Sequence, residues 1–144
     1  MSQRRPSATE SSGERFARAL AAKDGAALRG LLADPLDFQA LTPARHWQAT
    51  AAGEVVDEVI LGRWFGPGNE IEALESLTSD RLPGREHVRY RLRVSNADGE
   101  HLVEQQAYYD TDGERITWMR VLCSGYRPLP GEAPGEGFRR RLRI

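Results

Sequence analysis

The sequence predicts an α+β fold: an antiparallel sheet packed on a helical hairpin and one longer helix. Three observations carry this. Apolar residues fall at helical spacing at Phe16 and Leu20 and again across residues 55–64. From Glu70 onward the apolar period switches from 3.6 to 2, the strand signature. Two Asp-Gly pairs, Asp98-Gly99 and Asp112-Gly113, then fall between alternating runs, where tight hairpin turns need a residue free to take positive φ.

The elements follow in order. Ser11 and Glu14 match a capping box, so a helix carrying Phe16 and Leu20 starts there. Asp24 caps a second short helix carrying Leu28, Leu31 and Leu32, and Asp34-Pro35 ends it, because the residue before proline is pushed out of the helical region. Residues 36–41 alternate and read as a strand, and residues 42–45 as a turn. Residues 46–49 fit either a short second strand or a loop. A helix from about Gly53 buries Val55, Val56, Val59, Ile60 and Trp64, and residues 66–69 stop it. Strands then run over residues 71–77, 87–94, 101–110 and 115–124. Short turns make consecutive strands antiparallel neighbours.

The chain has 144 residues, enough for one core, so the expected organisation is an N-terminal tail (1–12), one domain (13–128) and a basic, loosely structured C-terminal tail (129–144). Hydrophobic residues are 40% and charged residues 28%, which excludes a disordered or collagen-like chain. Twenty basic against 21 acidic residues give a net charge of -1, so no bulk field draws nucleic acid. The four arginines at 139–143 read as a solvated tail. No apolar run approaches the roughly 20 residues of a membrane span. Cys123 is the only cysteine and sits in an apolar run, which fits a buried thiol in a reducing cytoplasm. No metal or phosphate-binding motif occurs, and no cofactor is implied.

Pleating divides the sheet into two faces. Val88, Tyr90, Leu92 and Val94 share one; Arg89, Arg91 and Arg93 share the other. Three unpaired buried arginines would cost several kcal/mol each. The arginine face is therefore outward, opposite Glu104 and Glu72, and is a candidate homodimer interface. The apolar face packs under the helices.

The element order resembles the nuclear transport factor 2-like (SnoaL-like) superfamily. The most specific stretches are residues 104–110, 112–116 and 119–128, similar to its penultimate strand, Asp-Gly turn and final strand. The resemblance implies a cone-shaped α+β barrel, a curved sheet wrapped around helices, with the inner face toward a cavity. Members include isomerases, dehydratases, epoxide hydrolases and polyketide cyclases beside non-enzymatic binding domains, so the fold does not settle the function. Epoxide hydrolases of this fold carry an acid in the final strand and an Arg-x-Asp pair in an earlier one. The matching positions here are Val121, Val88 and Tyr90, so that machinery is absent.

The resemblance places Val88, Tyr90, Val103, Gln105, Ala107, Tyr109, Met119 and Val121 toward the cavity. Trp47, Trp64 and Leu92 complete the expected ligand-binding set. Such a lining suits a small hydrophobic molecule held by one or two hydrogen bonds. The first reading is thus a small-molecule-binding domain, homodimeric through its outer face. The second is an acid–base enzyme (a cyclase, isomerase or dehydratase of polyketide-like or terpenoid-like substrates). There His46 is the base and Tyr90 or Tyr109 the oxyanion donor. The third is a protein-interaction domain using the arginine face. The enzyme reading requires His46 to point inward.

Overall fold

The computed structural model describes residues 10–130; the expectations for residues 1–9 and 131–144 lie outside the described residues. Ser11 opens α1 (Ser12–Ala21). Its hydroxyl accepts from the Glu14 amide at 3.1 Å, and Glu14 Oε1 accepts from the Ser11 amide at 2.8 Å. This reciprocal pair satisfies two donors that a helix start leaves open. Asp24 begins α2 (Gly25–Leu31) by accepting from the Ala27 amide at 3.1 Å. Between the two helices Lys23 adopts a φ of 53°. Its ammonium donates to the carbonyls of Gly66 and Asn69, which ties the hairpin to the loop after the third helix.

β1 (Leu32–Thr42) starts at Leu32 rather than at Leu36, because Leu32 already pairs with Ile116. β2 (Arg45–Ala49) is a strand, with Ala40 opposite Trp47. The third helix, α3 (Glu54–Trp64), is wound wider than an α-helix, in the π form; past its end the Phe65 amide still donates to the Ile60 carbonyl five residues back, at 2.8 Å. Val55, Val59 or Ile60, and Trp64 lie four to five residues apart, a spacing that either winding turns inward. The sequence pattern therefore could not tell the two windings apart.

β3 (Glu70–Leu82), β4 (Arg85–Asn96), β5 (Gly99–Thr111) and β6 (Ile116–Cys123) form the expected meander, each strand longer or shorter than its pattern by a few residues. The sheet order is β2-β1-β6-β5-β4-β3, and β7 (Arg127–Pro128) extends the β6 side of β5. All neighbours are antiparallel except β1 and β6. The crossover through β2 and α3 brings the meander back beside β1, so the sheet is mixed and unclosed.

The three helices cover one face of this curved sheet. Phe16 and Leu20 of α1, Leu28 of α2 and Val56 and Ile60 of α3 are buried against it. Each such side chain contributes about 1.5–3 kcal/mol of hydrophobic stabilisation. Two cross-strand rows define the inner face. One runs Trp47, Ala40, Val121, Ala107, Val88; the next runs Cys123, Gln105, Tyr90, Leu77.

Candidate functional site

The inner face is mostly apolar, with Thr42, His101 and Gln105 its buried polar residues. The Tyr90 hydroxyl donates to Gln105 Oε1 at 2.7 Å, both residues being 1% exposed. Burial, and secondarily the nearby Cys123, push the Tyr90 phenol far above its ordinary 10.0, so it stays a neutral donor. Gln105 lies opposite Cys123 on β6. Burial raises the Cys123 thiol, against the pull of Gln105 and of the Gly125 amide that donates to its sulfur at 3.4 Å. Cys123 is thus a neutral buried thiol rather than a nucleophile.

Two buried donors, Gln105 Nε2 and Trp64 Nε1, have no acceptor in strict hydrogen-bond geometry, although the Gln105 amide lies close enough to the Cys123 thiol to pull its pKa down. Cys123 acts on both Tyr90 and Tyr126, and the Tyr126 hydroxyl donates to the Trp64 carbonyl at 2.6 Å. His101 stands edge-on to the Tyr126 ring, centroids 5.6 Å apart. Neither His101 nor Tyr126 was singled out from the sequence. His101 is two residues before Val103, in phase with the inner face, so extending the alternation would have found it. Tyr126 lies beyond the last long strand, after Gly125 at a φ of 79°, where no pattern signals its burial.

The other expected lining residues are also interior. Val88, Leu92, Val103, Tyr109 and Met119 are fully buried, and Val121 nearly so. Tyr109 accepts from the Gly13 amide at 2.7 Å, so its hydroxyl already serves the start of α1. Burial raises its pKa, partly offset by the hydrogen bonds to Ser11 and Gly13. Trp64 packs on Phe38 and, edge to face, on Trp47, at 6.1 and 6.0 Å. Trp47 in turn donates to Thr42 Oγ1 at 3.0 Å under the Arg45 guanidinium. Trp64, Tyr109 and Met119 are each no more than 1% exposed.

His46 must be corrected. Strand alternation turns Trp47 inward and therefore His46 outward, where its side chain is exposed and its Nε2 meets Gln39 Oε1 at 3.0 Å. It does not enter the interior with Tyr90 and Tyr109, so the acid–base reading has no base at His46.

The outer face carries the arginine ladder. Arg91 binds Glu104 at 2.9 Å and Arg89 approaches it at 3.8 Å. Arg93 pairs with Glu75 and Glu100, each at 2.8 Å, rather than with Glu72, which accepts from the Ser95 hydroxyl instead. The β-bulge between Leu74 and Ser76 brings Glu75 to this position. His87 is held by Asp80 at 2.9 Å and Gln106 at 3.0 Å. The guanidinium groups of Arg85 and Arg120 each lie over the Trp118 ring, at 3.8 and 4.5 Å. Beside the ladder, the cross-strand partners Leu41 and Leu122 are 53% and 52% exposed.

Four open surface depressions have volumes of about 480, 330, 430 and 350 Å³. The most apolar of the four lies on the outer face at Leu41, His46 and Arg120. None of the four is lined by Tyr90, Gln105 or Trp64. Among the described residues no group of three or more His, Cys, Asp or Glu side chains is placed to hold a metal ion. No helix among them is long and apolar enough to cross a membrane.

No family model matches the chain, and no curated protein matches it. Solved structures do match in shape. An NTF2-like protein of unknown function from Mesorhizobium loti superposes with a TM-score of 0.58 at 21% identity, over 87% of this chain and 97% of that one. A Catenulispora acidiphila protein with a ketosteroid isomerase-like fold, in complex with trimethylamine, gives 0.59 at 15% identity, over 81% and 87%. An LEH-like epoxide hydrolase from M. tuberculosis gives 0.57 at 14% identity, over 78% and 80%. At these identities the likeness is one of fold: the chain has the nuclear transport factor 2-like fold.

Proposed function

We propose that this chain, on its nuclear transport factor 2-like fold, binds a small hydrophobic molecule between sheet and helices and does no acid–base chemistry on it. One observation carries the reading. The helix-covered face is mostly apolar: its buried polar residues are Thr42, His101 and Gln105, the last bonded to a Tyr90 phenol that is held neutral, and His46 stands outside. Tyr90, Gln105, Trp64, Val88, Leu92 and Val103 are the proposed lining, with Trp47, Tyr109, Met119 and Val121 behind them. Because the proposed lining is buried and none of the four depressions is lined by Tyr90, Gln105 or Trp64, a guest takes room by displacing side chains. The reducing cytoplasm is the proposed compartment, on the lone buried Cys123.

The test is native mass spectrometry of protein purified from its own source, followed by a thermal-shift screen of apolar small molecules. A retained non-covalent mass, or a rise in Tm with a saturable dose, is expected. A chain that carries nothing and whose Tm moves with no compound overturns the reading.

A second reading concerns assembly: a homodimer through the outer sheet face. A two-fold interface must be self-complementary. This face offers both signs of charge, Arg89, Arg91 and Arg120 beside Glu104, around the exposed Leu41–Leu122 pair. Leu122→Glu should halve the mass seen by light scattering, and an unchanged mass removes the proposed interface.

A further inference from the structure

β3 is the last strand of the sheet, and among the described residues no strand pairs with its far side. It is 13 residues long and none of them is fully buried. An open edge of this length presents a row of backbone N–H and C=O groups to any extended segment, so folds usually blunt or cover it. Its side chains divide by face. Ile71, Leu74 and Leu77 are half-buried against the core on the inner face. Glu72, Glu75 and Asp80 stand on the outer face, where they meet Ser95, Arg93 and His87. The Asp80 side chain is still 76% exposed. Acids of one sign repel a second copy of the same edge and favour a basic strand.

The chain carries such a segment. Residues 138–144 set Phe138, Leu142 and Ile144 in one phase of a two-residue period and Arg139, Arg141 and Arg143 in the other. This is the order of β4, where Val88, Tyr90, Leu92 and Val94 alternate with Arg89, Arg91 and Arg93, and those arginines meet acids of the flanking strands. Only Arg140 departs, standing where β4 has Tyr90. At an edge a long arginine stem can lie on apolar surface with its head in water. Charge agrees: residues 10–130 hold 19 acidic and 14 basic side chains, and residues 138–144 hold four arginines and no acid.

The segment also reaches. The Leu129 amide donates to the Glu100 carbonyl at 3.1 Å, and Glu100, Ser95 and Glu70 lie in one cross-strand row. From Leu129 the open side of β3 is therefore four strand spacings away, about 19 Å. The stretch from Leu129 to Phe138 spans up to about 30 Å when extended.

We propose that residues 138–144 dock in cis along the open edge of β3, parallel to it. Phe138, Leu142 and Ile144 extend the row of Ile71, Leu74 and Leu77, and Arg139, Arg141 and Arg143 meet Glu72, Glu75 and Asp80. The arginine run is then a covering strand rather than the solvated tail its composition suggests.

Amide hydrogen exchange of the full chain, followed by NMR, tests this. The comparison is the full chain carrying Arg139→Glu, Arg141→Glu and Arg143→Glu, which leaves every described residue in place. The β3 amides that face away from β4 should exchange about tenfold faster in the variant, as expected when a segment docked about nine-tenths of the time is released. β2, the strand at the other edge, should exchange alike in both chains and is the control. In the unaltered chain about 0.5 M NaCl should produce the same loss, because exposed ion pairs are screened, so the result does not depend on how the variant folds.

Equal β3 exchange in the two chains, unmoved by salt, overturns the proposal. Protection that appears only as protein concentration rises, with a doubled mass by light scattering that the variant lacks, assigns the edge to a second copy's segment and overturns docking in cis. Retention of the unaltered chain, and not the variant, on vesicles of phosphatidylserine and phosphatidylcholine, with β3 unprotected, assigns the arginines to a lipid surface and overturns it likewise.

Discussion

Gly13 shows how tightly single residues are specified. Its amide donates to the Tyr109 hydroxyl at 2.7 Å, and a Cβ there would meet that oxygen at 2.7 Å and Val88 Cβ at 2.8 Å. The start of α1 therefore touches the sheet through bare backbone. Gly13→Ala should cost about 1–3 kcal/mol by overpacking, read as a lower denaturant midpoint. An unchanged midpoint would mean that the helix start is not seated on β4 and β5 as described. The Tyr90–Gln105 pair makes a different demand. Tyr90→Phe and Gln105→Leu each strand a buried partner, while the double variant strands neither. A double-mutant cycle should thus show a coupling of about 1 kcal/mol, and additive losses would show that the bond contributes nothing.

Among the elements, α3 is where the sequence was least legible. Strands and turns were readable because their period is 2 and an Asp-Gly pair has few uses. The helical face of Val55, Val59, Ile60 and Trp64 was readable too, but not its winding, since residues four and five apart serve both forms. The fate of Gly62 separates them. It is exposed, and in an α-helix its replacement by alanine would stabilise the chain by up to about 1 kcal/mol. In the wide helix an alanine Cβ would meet the Asp57 carbonyl oxygen at 2.6 Å. Gly62→Ala should therefore destabilise, and a raised Tm would show that α3 is an ordinary α-helix in solution. Likewise the alternation exposed the inner lining residue by residue. It was silent on Tyr126 and on the acceptors the buried donors lack, because those depend on how distant segments meet.

At the scale of the whole molecule, burial of neutral acids sets how stability depends on pH. Tyr90, Tyr126 and Tyr109 are all raised above their ordinary 10.0, chiefly by burial, and Cys123 above its ordinary 9.0. In the unfolded chain these groups shed protons near pH 9 and 10; in the folded chain they hold them. The unfolded state then binds fewer protons than the native one, so stability must fall as pH rises. The contribution of each group is intact below its unfolded pKa and shrinks above it, by at most about 1.4 kcal/mol per pH unit. Unfolding by denaturant should thus show a plateau below pH 9 and a decline that steepens beyond pH 10. Tyrosinate absorbance from Tyr90 and Tyr126 should appear only as the chain unfolds. Tyr126→Phe sharpens the test. It loses the hydrogen bond to the Trp64 carbonyl, about 1 kcal/mol at neutral pH, yet its decline above pH 10 should be shallower, because one buried phenol no longer titrates. A variant that declines as steeply as the parent, or a parent with flat stability from pH 9 to 11, would mean that water reaches these rings and that the interior is wetter than its packing indicates.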